Sequence, residues 1–262
     1  MEILLYIYIF VVGIIIGSFL NVCIYRIPAK ETIVKGSSHC MTCGHKLMWL
    51  DLFPLFSWLF LRGKCRYCGA KISKRYPIIE SITGLLFVLA FIKFPIIDKN
   101  LNFSGANLLN GLIYCAFFAV LVVVAMIDYD TKEIPDRFHL IILGLGIVSF
   151  LATNPISWDA WKYRLIGLGI ISLPLCLISW LTDGIGEGDA KLTAAAGFLI
   201  GGKAIVFAFI VAAIIASIYG VIHKIRSKEN EIPFGPFLAI GIVSGVMLAE
   251  PVVNWYLTLF SY

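Results

Sequence analysis

Charge is what this sequence has least of. Only 14% of its residues are Asp, Glu, Lys or Arg, against about 25% in an ordinary soluble domain. That scarcity excludes a soluble globular chain carrying one membrane anchor. Several signatures of common enzyme classes are absent as well. There is no Gly-x-Ser-x-Gly elbow and no His-Glu-x-x-His, so the usual serine-hydrolase and zincin chemistries have no carrier. No Gly-x-Gly-x-x-Gly follows a strand pattern, which removes a dinucleotide-binding unit. The first 25 residues have no basic leader before their apolar run, so they are expected to be a retained span rather than a cleaved signal.

What is present is apolar sequence: 60% of the chain, with a mean hydropathy of +0.93. The sequence predicts an all-α polytopic membrane protein with about eight transmembrane helices. The spans read as Ile3–Tyr25, Ile78–Ile97, Leu108–Ile127, Phe138–Thr153, Leu165–Thr182, Ala190–Gly202, Ala204–Ile225 and Phe234–Phe260. The sixth is shorter than the roughly 20 residues that cross the hydrocarbon. Short, glycine-flanked spans border cavities, where irregular backbone is tolerated.

Lys and Arg set the orientation. Between Arg26 and Pro77 they number ten, against two acids, Glu31 and Asp51. By the positive-inside rule this segment is cytoplasmic and the N-terminus lies outside. Alternation then places the loops Asp128–Arg137, Asp183–Asp189 and His223–Glu231 inside too. The net charge of +5 is therefore topological, and no nucleic-acid partner is expected.

Two regions follow, joined by a polar external linker at Pro95–Ala106. Residues 1–94 hold two spans and the polar segment 26–77, and residues 107–262 hold a six-span bundle. The polar segment is too short for a core of its own. Its staple is Cys40-x-x-Cys43 and Cys65-x-x-Cys68, separated by a gap close to zinc-ribbon spacing. Four thiolates suit tetrahedral zinc, and such a closed site is structural rather than catalytic. Gly44 and Gly69 follow each pair and free the backbone to turn. His39 or His45 could replace a thiolate, and two disulfides are the rival pairing, which a reducing cytoplasm disfavours. The remaining cysteines, Cys23, Cys115 and Cys176, fall in spans as small apolar residues.

Two acids stand apart. Asp128 ends an apolar run, Val120–Ile127, and Asp189 sits in Gly186-Glu187-Gly188-Asp189 at the head of the sixth span. A carboxylate at a membrane edge is costly and needs a reason. Asp189 also suits a helix N-terminus. Close together, the two would share a proton, one serving as base on water and the other as acid on a carbonyl oxygen. Gly186 and Gly188 leave room for an extended peptide, and Asp136 and Lys191 are expected to support the loops.

These residues, in this order, resemble the bifunctional type IV prepilin peptidases (prepilin peptidase/N-methyltransferases), membrane aspartyl proteases of the GxGD type. The run Gly17–Pro28 is similar to the family's opening signature. The cysteine pairs, Trp49, Asp51, Pro54, Ser57-Trp58, Leu61–Cys65 and Ile72–Glu80 follow in its order. So do Ile127-Asp128 with Ile134-Pro135-Asp136, and Gly186–Lys191. Met41 departs from the pattern, standing where many members have Pro. The C-terminal span carries little diagnostic sequence.

The resemblance implies that Asp128 and Asp189 form the catalytic pair, without metal. The substrates would be prepilins and pseudopilins, cut after Gly beyond a short basic leader, at the cytoplasmic face of the bacterial inner membrane. S-adenosylmethionine would then methylate the new amine, with Asn21, Arg26 and Glu80 as candidate residues for that step. Asp130, Glu133, Asp136, Asp183 and Glu187 make the catalytic loops acidic, so they are expected to hold the leader's Lys and Arg by complementary charge. Two other classes use paired membrane carboxylates: GxGD proteases that cut within helices, and proton-coupled transporters.

Overall fold

The computed structural model describes all residues except 1, 35, 37, 98–101, 154–156, 183–185, 227–231 and 261–262. Among the described residues it is nearly all helix. The only β pairing described is three isolated antiparallel bridges: His39 with Lys46, Lys64 with Lys71, and Ile97 with Phe103. The helices are α1 (Glu2–Arg26), α2 (Phe56–Phe60), α3 (Arg75–Lys93), α4 (Gly105–Thr131), α5 (Asp136–Thr153), α6 (Trp158–Ile170), α7 (Ser172–Thr182), α8 (Glu187–Ile200), α9 (Gly202–Arg226) and α10 (Gly235–Phe260).

Each of the eight apolar runs contains helix, although the second leaves it after Lys93, before Ile97 pairs with Phe103. Six helical stretches are long and apolar enough to cross a membrane: α1, α3, α4, α6 with α7, α9 and α10. The run at 165–182 is broken at Ile171 into α6 and α7. α8 has 14 residues, about 21 Å at 1.5 Å per residue, against a hydrocarbon core of about 30 Å. It is too short to cross the hydrocarbon on its own, and the carbonyls of its last turn need donors from outside the helix.

The chain forms two compact units, Met1–Val123 and Val124–Tyr262. In the first, α1 and α3 pack through small residues. A Cβ on Gly13 would lie 2.6 Å from Gly84 Cα, and one on Gly17 would lie 2.8 Å from Glu80 Cα. Such spacing lets backbones meet and dispersion replace the hydrophobic effect that lipid does not provide. In the second unit, the last turns of α4 join α5 to α10. α9 and α10 meet in the same way, with Gly245 against the Ala204 carbonyl. α6 and α8 cross backbone to backbone at Gly167 and Gly197, where neither position has room for a Cβ.

Candidate active site

α4 runs apolar to its last turn and delivers Asp128 there, 5% exposed. The last turn of a helix is its negative end, a poor place for a carboxylate. α10 supplies the compensation: the Gly235 amide, at the first residue of that helix, donates to Asp128 Oδ2 at 2.8 Å. A helix N-terminus carries partial positive charge and unpaired amides, so it is a natural anion seat. A Cβ at Gly235 would lie 2.7 Å from the same oxygen, so only glycine brings the amide this close.

Asp189 is the third residue of α8, in its first turn, where the dipole favours an acid. Its amide donates to the Gly186 carbonyl at 3.1 Å. The two carboxylates of Asp128 and Asp189 lie close enough to interact electrostatically. The two glycines before Asp189 differ in what surrounds them. A Cβ at Gly186 would sit 3.6 Å from Asp189 Oδ2, an ordinary contact, whereas one at Gly188 would press on Ile134 Cβ at 3.1 Å. Gly188 thus lets the α4–α5 loop close on α8, and Gly186 keeps the side facing the carboxylate small.

Lys191 ties the loops together. Its Nζ lies 3.1 Å from Asp136 Oδ1 and 3.5 Å from Glu187 Oε2, joining the start of α5 to the start of α8. Lys191 draws the Asp136 carboxyl below its ordinary range through its hydrogen bond and charge. His139, one turn into α5, is buried with Nδ1 3.5 Å from Asp136 Oδ1. Asp183 lies outside the described residues.

The C-terminal end of α8 is held by α6. Arg164 Nη1 donates to the carbonyls of Gly146, Phe198 and Leu199 at 3.3, 3.2 and 3.3 Å, and its Nη2 donates to Ser149 Oγ at 3.3 Å. The Tyr163 hydroxyl donates to the Ile200 carbonyl at 3.3 Å. The ring of Tyr163 fills the space beside Gly201, which has φ +85°. α6 thus satisfies orphan carbonyls at the end of the helix that carries Asp189 in its first turn.

The four cysteines of the polar segment come together. The Sγ atoms of Cys40, Cys43, Cys65 and Cys68 all lie within 4.8 Å of one another, and Cys40 Sγ is 3.9 Å from Cys68 Sγ. A tetrahedral zinc with Zn–S near 2.3 Å sets its sulfurs about 3.8 Å apart, so the donor set and spacing fit. Each pair forms the same turn. The Gly44 amide donates to Cys40 O and the Gly69 amide to Cys65 O, at 2.8 and 2.9 Å. Both glycines have positive φ, +69° and +71°, which only glycine adopts without strain.

The amides of Cys43 and Thr42 lower the Cys40 thiol to about 6. At Cys68 the Ala70 amide also lowers the thiol, but burial and three neighbouring sulfurs outweigh it and push it up to about 12. Four clustered sulfurs cannot all ionise without a cation to take their charge. Asp51 braces the turn: it accepts from Arg66 Nε at 2.7 Å and from the Tyr67 hydroxyl at 3.0 Å. Burial raises its carboxyl, but Arg66, the Met48 amide and Tyr67 together bring it below its ordinary range.

Asn21 on α1 and Glu80 on α3 are both buried where these helices pack. Asn21 Nδ2 donates to the Gly17 and Tyr76 carbonyls at 3.3 and 3.4 Å, while its buried Oδ1 has no hydrogen-bond donor among the described residues. Glu80 is buried and accepts the Leu55 amide at 2.7 Å. Arg26 stands apart, at the end of α1, donating to the Thr32 carbonyl at 3.1 Å.

Sequence reasoning missed Gly235 and Arg164. The only local signal for the first was glycine between Phe234 and Pro236 at the head of the last apolar run. The second was a single arginine beside Gly167 in an apolar stretch.

Comparison with known proteins adds the following. Residues 11–94 match the family model described as Bacterial Peptidase A24 N-terminal domain. Residues 115–221 match the one described as Type IV leader peptidase family. The chain is similar to the prepilin leader peptidase/N-methyltransferase of Bacillus subtilis, 32% identical over 252 residues that cover 95% of this chain and 96% of that protein. It is 34% identical over 260 residues to the protein of that name from Xanthomonas campestris, covering 87% of this chain and 86% of the relative. The type 4 prepilin-like proteins leader peptide-processing enzyme of Escherichia coli is 32% identical over 262 residues, covering 90% and 91%. No solved structure matches the chain.

Proposed function

The chain belongs to the type IV leader peptidase family, and on that footing we propose that it cleaves the leaders of prepilins and pseudopilins and then methylates the exposed N-terminus. The observation that carries the reading is the pair Asp128 and Asp189, set on α4 and α8 within electrostatic reach of each other.

Two carboxylates so placed share one proton. The ionised partner takes a proton from water, and the water oxygen attacks the scissile carbonyl. The protonated partner gives its proton to the carbonyl oxygen, and collapse of the tetrahedral intermediate releases the leader and a new amine. We assign Asp128 as the base, because its Oδ2 accepts the Gly235 amide at the positive end of α10. The Asp128–Asp189 pair needs no metal for this step. Gly186 leaves the approach to Asp189 open for an extended peptide.

The scissile bond follows Gly at the junction of a short basic leader and an apolar helix, at the cytoplasmic face of the inner membrane. The Lys and Arg of segment 26–77 support that orientation by the positive-inside rule. Asp130, Glu133, Asp136 and Glu187 draw the leader's cations toward the pair. Lys191 engages two of them, Asp136 and Glu187, and so tempers their pull on the leader.

Zinc in the four-cysteine site fixes the polar segment and takes no part in the chemistry, since four sulfurs close its coordination. S-adenosylmethionine supplies an electrophilic methyl group to the new amine. Asn21, Glu80 and Arg26 are the residues of the first unit suited to orient that amine or its donor, and the unpartnered Asn21 Oδ1 is free to accept an N–H.

The test is coexpression with a prepilin, comparing wild type with Asp128→Asn and Asp189→Asn. Leader removal is read by gel shift and methylation by mass spectrometry of the mature N-terminus. Each variant should leave the precursor uncut. Complete processing by either one overturns the assignment.

A further inference from the structure

α2 and the residues before it turn an apolar face outward. Leu52, Phe53, Phe56, Leu59 and Phe60 are exposed, Phe60 at 83%, and Trp49 is exposed at 73%. Positions 56, 59 and 60 share one side of α2, and Leu52 and Phe53 are exposed in the turn that leads into it. The other side faces the protein. Pro54 is buried, and the Trp58 indole donates to the Ile72 carbonyl at 3.2 Å. The Trp58 ring covers Gly63 so closely that a Cβ there would lie 2.8 Å from it. A small segment stapled by four cysteines has no reason to present contiguous aromatics to water, and surfaces of this kind mark a partner.

The height of this face is set by Glu80. α3 begins at Arg75, so Glu80 stands about 7.5 Å along the helix from its polar end. By accepting the Leu55 amide at 2.7 Å, its carboxylate ties the start of α2 to a level inside α3 rather than above it. The strand of chain between α1 and α3 leaves and re-enters the bilayer at Arg26 and Arg75, so α2 is drawn down to the membrane surface. Charge agrees with this placement. Lys46, Arg62, Lys64, Lys71 and Lys74 are exposed on the same segment. Of its two acids, Asp51 is taken up by Arg66 and Tyr67. Aromatic side chains favour the headgroup level, and exposed Lys and Arg favour anionic lipid.

We propose that residues 49–60 are an interfacial anchor. Their aromatic face lies in the headgroup–acyl boundary of the bilayer that α1 and α3 cross, and the surrounding cations rest on anionic lipid headgroups. The anchor holds the four-cysteine segment flat against the membrane at fixed height. It goes beyond the peptidase and methyltransferase reading and depends only on the chain's being in a membrane.

The experiment uses the full chain in nanodiscs. Tryptophan fluorescence of wild type minus that of Trp49→Phe isolates Trp49. It is titrated with aqueous acrylamide, and compared between discs with and without acyl-brominated lipid. Trp49 should be quenched by brominated lipid and shielded from acrylamide, more strongly in discs containing phosphatidylglycerol than in phosphatidylcholine alone. Phe56→Asp with Phe60→Asp should return it to acrylamide while zinc content and helicity stay unchanged. A Trp49 open to acrylamide and insensitive to brominated lipid overturns the proposal. So does shielding without bromine quenching, or shielding that appears only when an apolar pilin helix is added, which would assign the face to a protein partner.

Discussion

Gly235 and Asp128 are 107 residues apart in sequence, and the amide of one donates to the carboxylate of the other at 2.8 Å. This bond joins the N-terminus of α10 to the last turn of α4, and it makes the final helix part of the proposed peptidase site. Gly235→Ala forces a Cβ to within 2.7 Å of Asp128 Oδ2, and the short carboxylate must move. Misplacing a reacting group by about 1 Å costs on the order of 100-fold in rate. Leader cleavage should fall by about that factor, with expression and helicity unchanged. Methylation of a substrate supplied already cleaved should persist, because its candidate residues lie in the other unit. Equal loss of both activities would mean a general folding defect instead.

Arg164 gives a second prediction. Replacing it by Met leaves the carbonyls of Phe198, Leu199 and Gly146 without that donor, at about 1–3 kcal/mol for each buried group left unsatisfied. α8 should then settle at a different depth and carry Asp189 with it. Cleavage kcat should drop at least about 10-fold with little change in KM, the mark of a misplaced catalytic group rather than lost binding. Arg164→Lys, which keeps a donor but loses the planar fork, should recover part of the rate. A variant whose KM rises while kcat holds would place Arg164 in substrate binding and refute the positioning role.

These two residues also mark where the sequence stops being legible. The long helices follow from apolar run length, and Asp128 and Asp189 from the rarity of acids at the ends of such runs. The four-cysteine cluster follows from spacing alone. All of these are local signals. Gly235 and Arg164 act through contacts with helices far away in the chain, and nothing in a run of residues states which helix ends face each other. Gly188 was legible as a needed glycine but not for its reason, since the side chain it avoids is Ile134. The exposed side of α2 was illegible for a different cause: five residues are too few to show a period. Its partner is also not part of the chain.

The cysteine cluster predicts a pH-dependent difference in reactivity once the metal is removed. The Cys40 thiol is lowered to about 6 and the Cys68 thiol pushed up to about 12. The thiolate is the reactive form. At pH 7 the chelator-treated protein should therefore be alkylated at Cys40 well before Cys68, with the Cys40 rate rising as pH climbs through about 6. Loading with zinc should protect all four together. Peptide mapping by mass spectrometry resolves the sites. Equal rates at Cys40 and Cys68 in the chelated protein, or no protection by zinc, would contradict the site as described.

Asp51 has the opposite kind of dependence. Its folded-state carboxyl lies below the ordinary value, which is about 3.9 in an unfolded chain. A depressed acid contributes its stability above the unfolded value and loses it as pH falls through the folded one. From pH 7 to pH 5 the brace should be constant. Protease resistance of the polar segment should therefore not change over that window on Asp51's account, whereas Asp51→Asn should lower resistance across it by leaving Arg66 without its charged acceptor. Limited proteolysis of the zinc-loaded protein at both pH values measures this, and an Asn variant as resistant as wild type would remove Asp51 from the brace.

Lys191 supplies the last prediction. It bridges Asp136 and Glu187, and the three side chains are 47%, 72% and 79% exposed. Exposed pairs of this kind add little to stability, so Lys191→Gln should leave the fold intact. What changes is charge. Two acids that Lys191 had partly neutralised become available to the cations of a basic leader. If charge draws the leader in, KM for a basic-leader substrate should fall a few-fold at low salt. The gain should vanish near 0.5 M salt, where screening shortens to about 4 Å. A substrate whose leader has Gln in place of Lys and Arg should show no gain at any salt. A KM that is unchanged at low salt for the basic leader would mean that the acids around the pair hold the loops together and do not read the substrate.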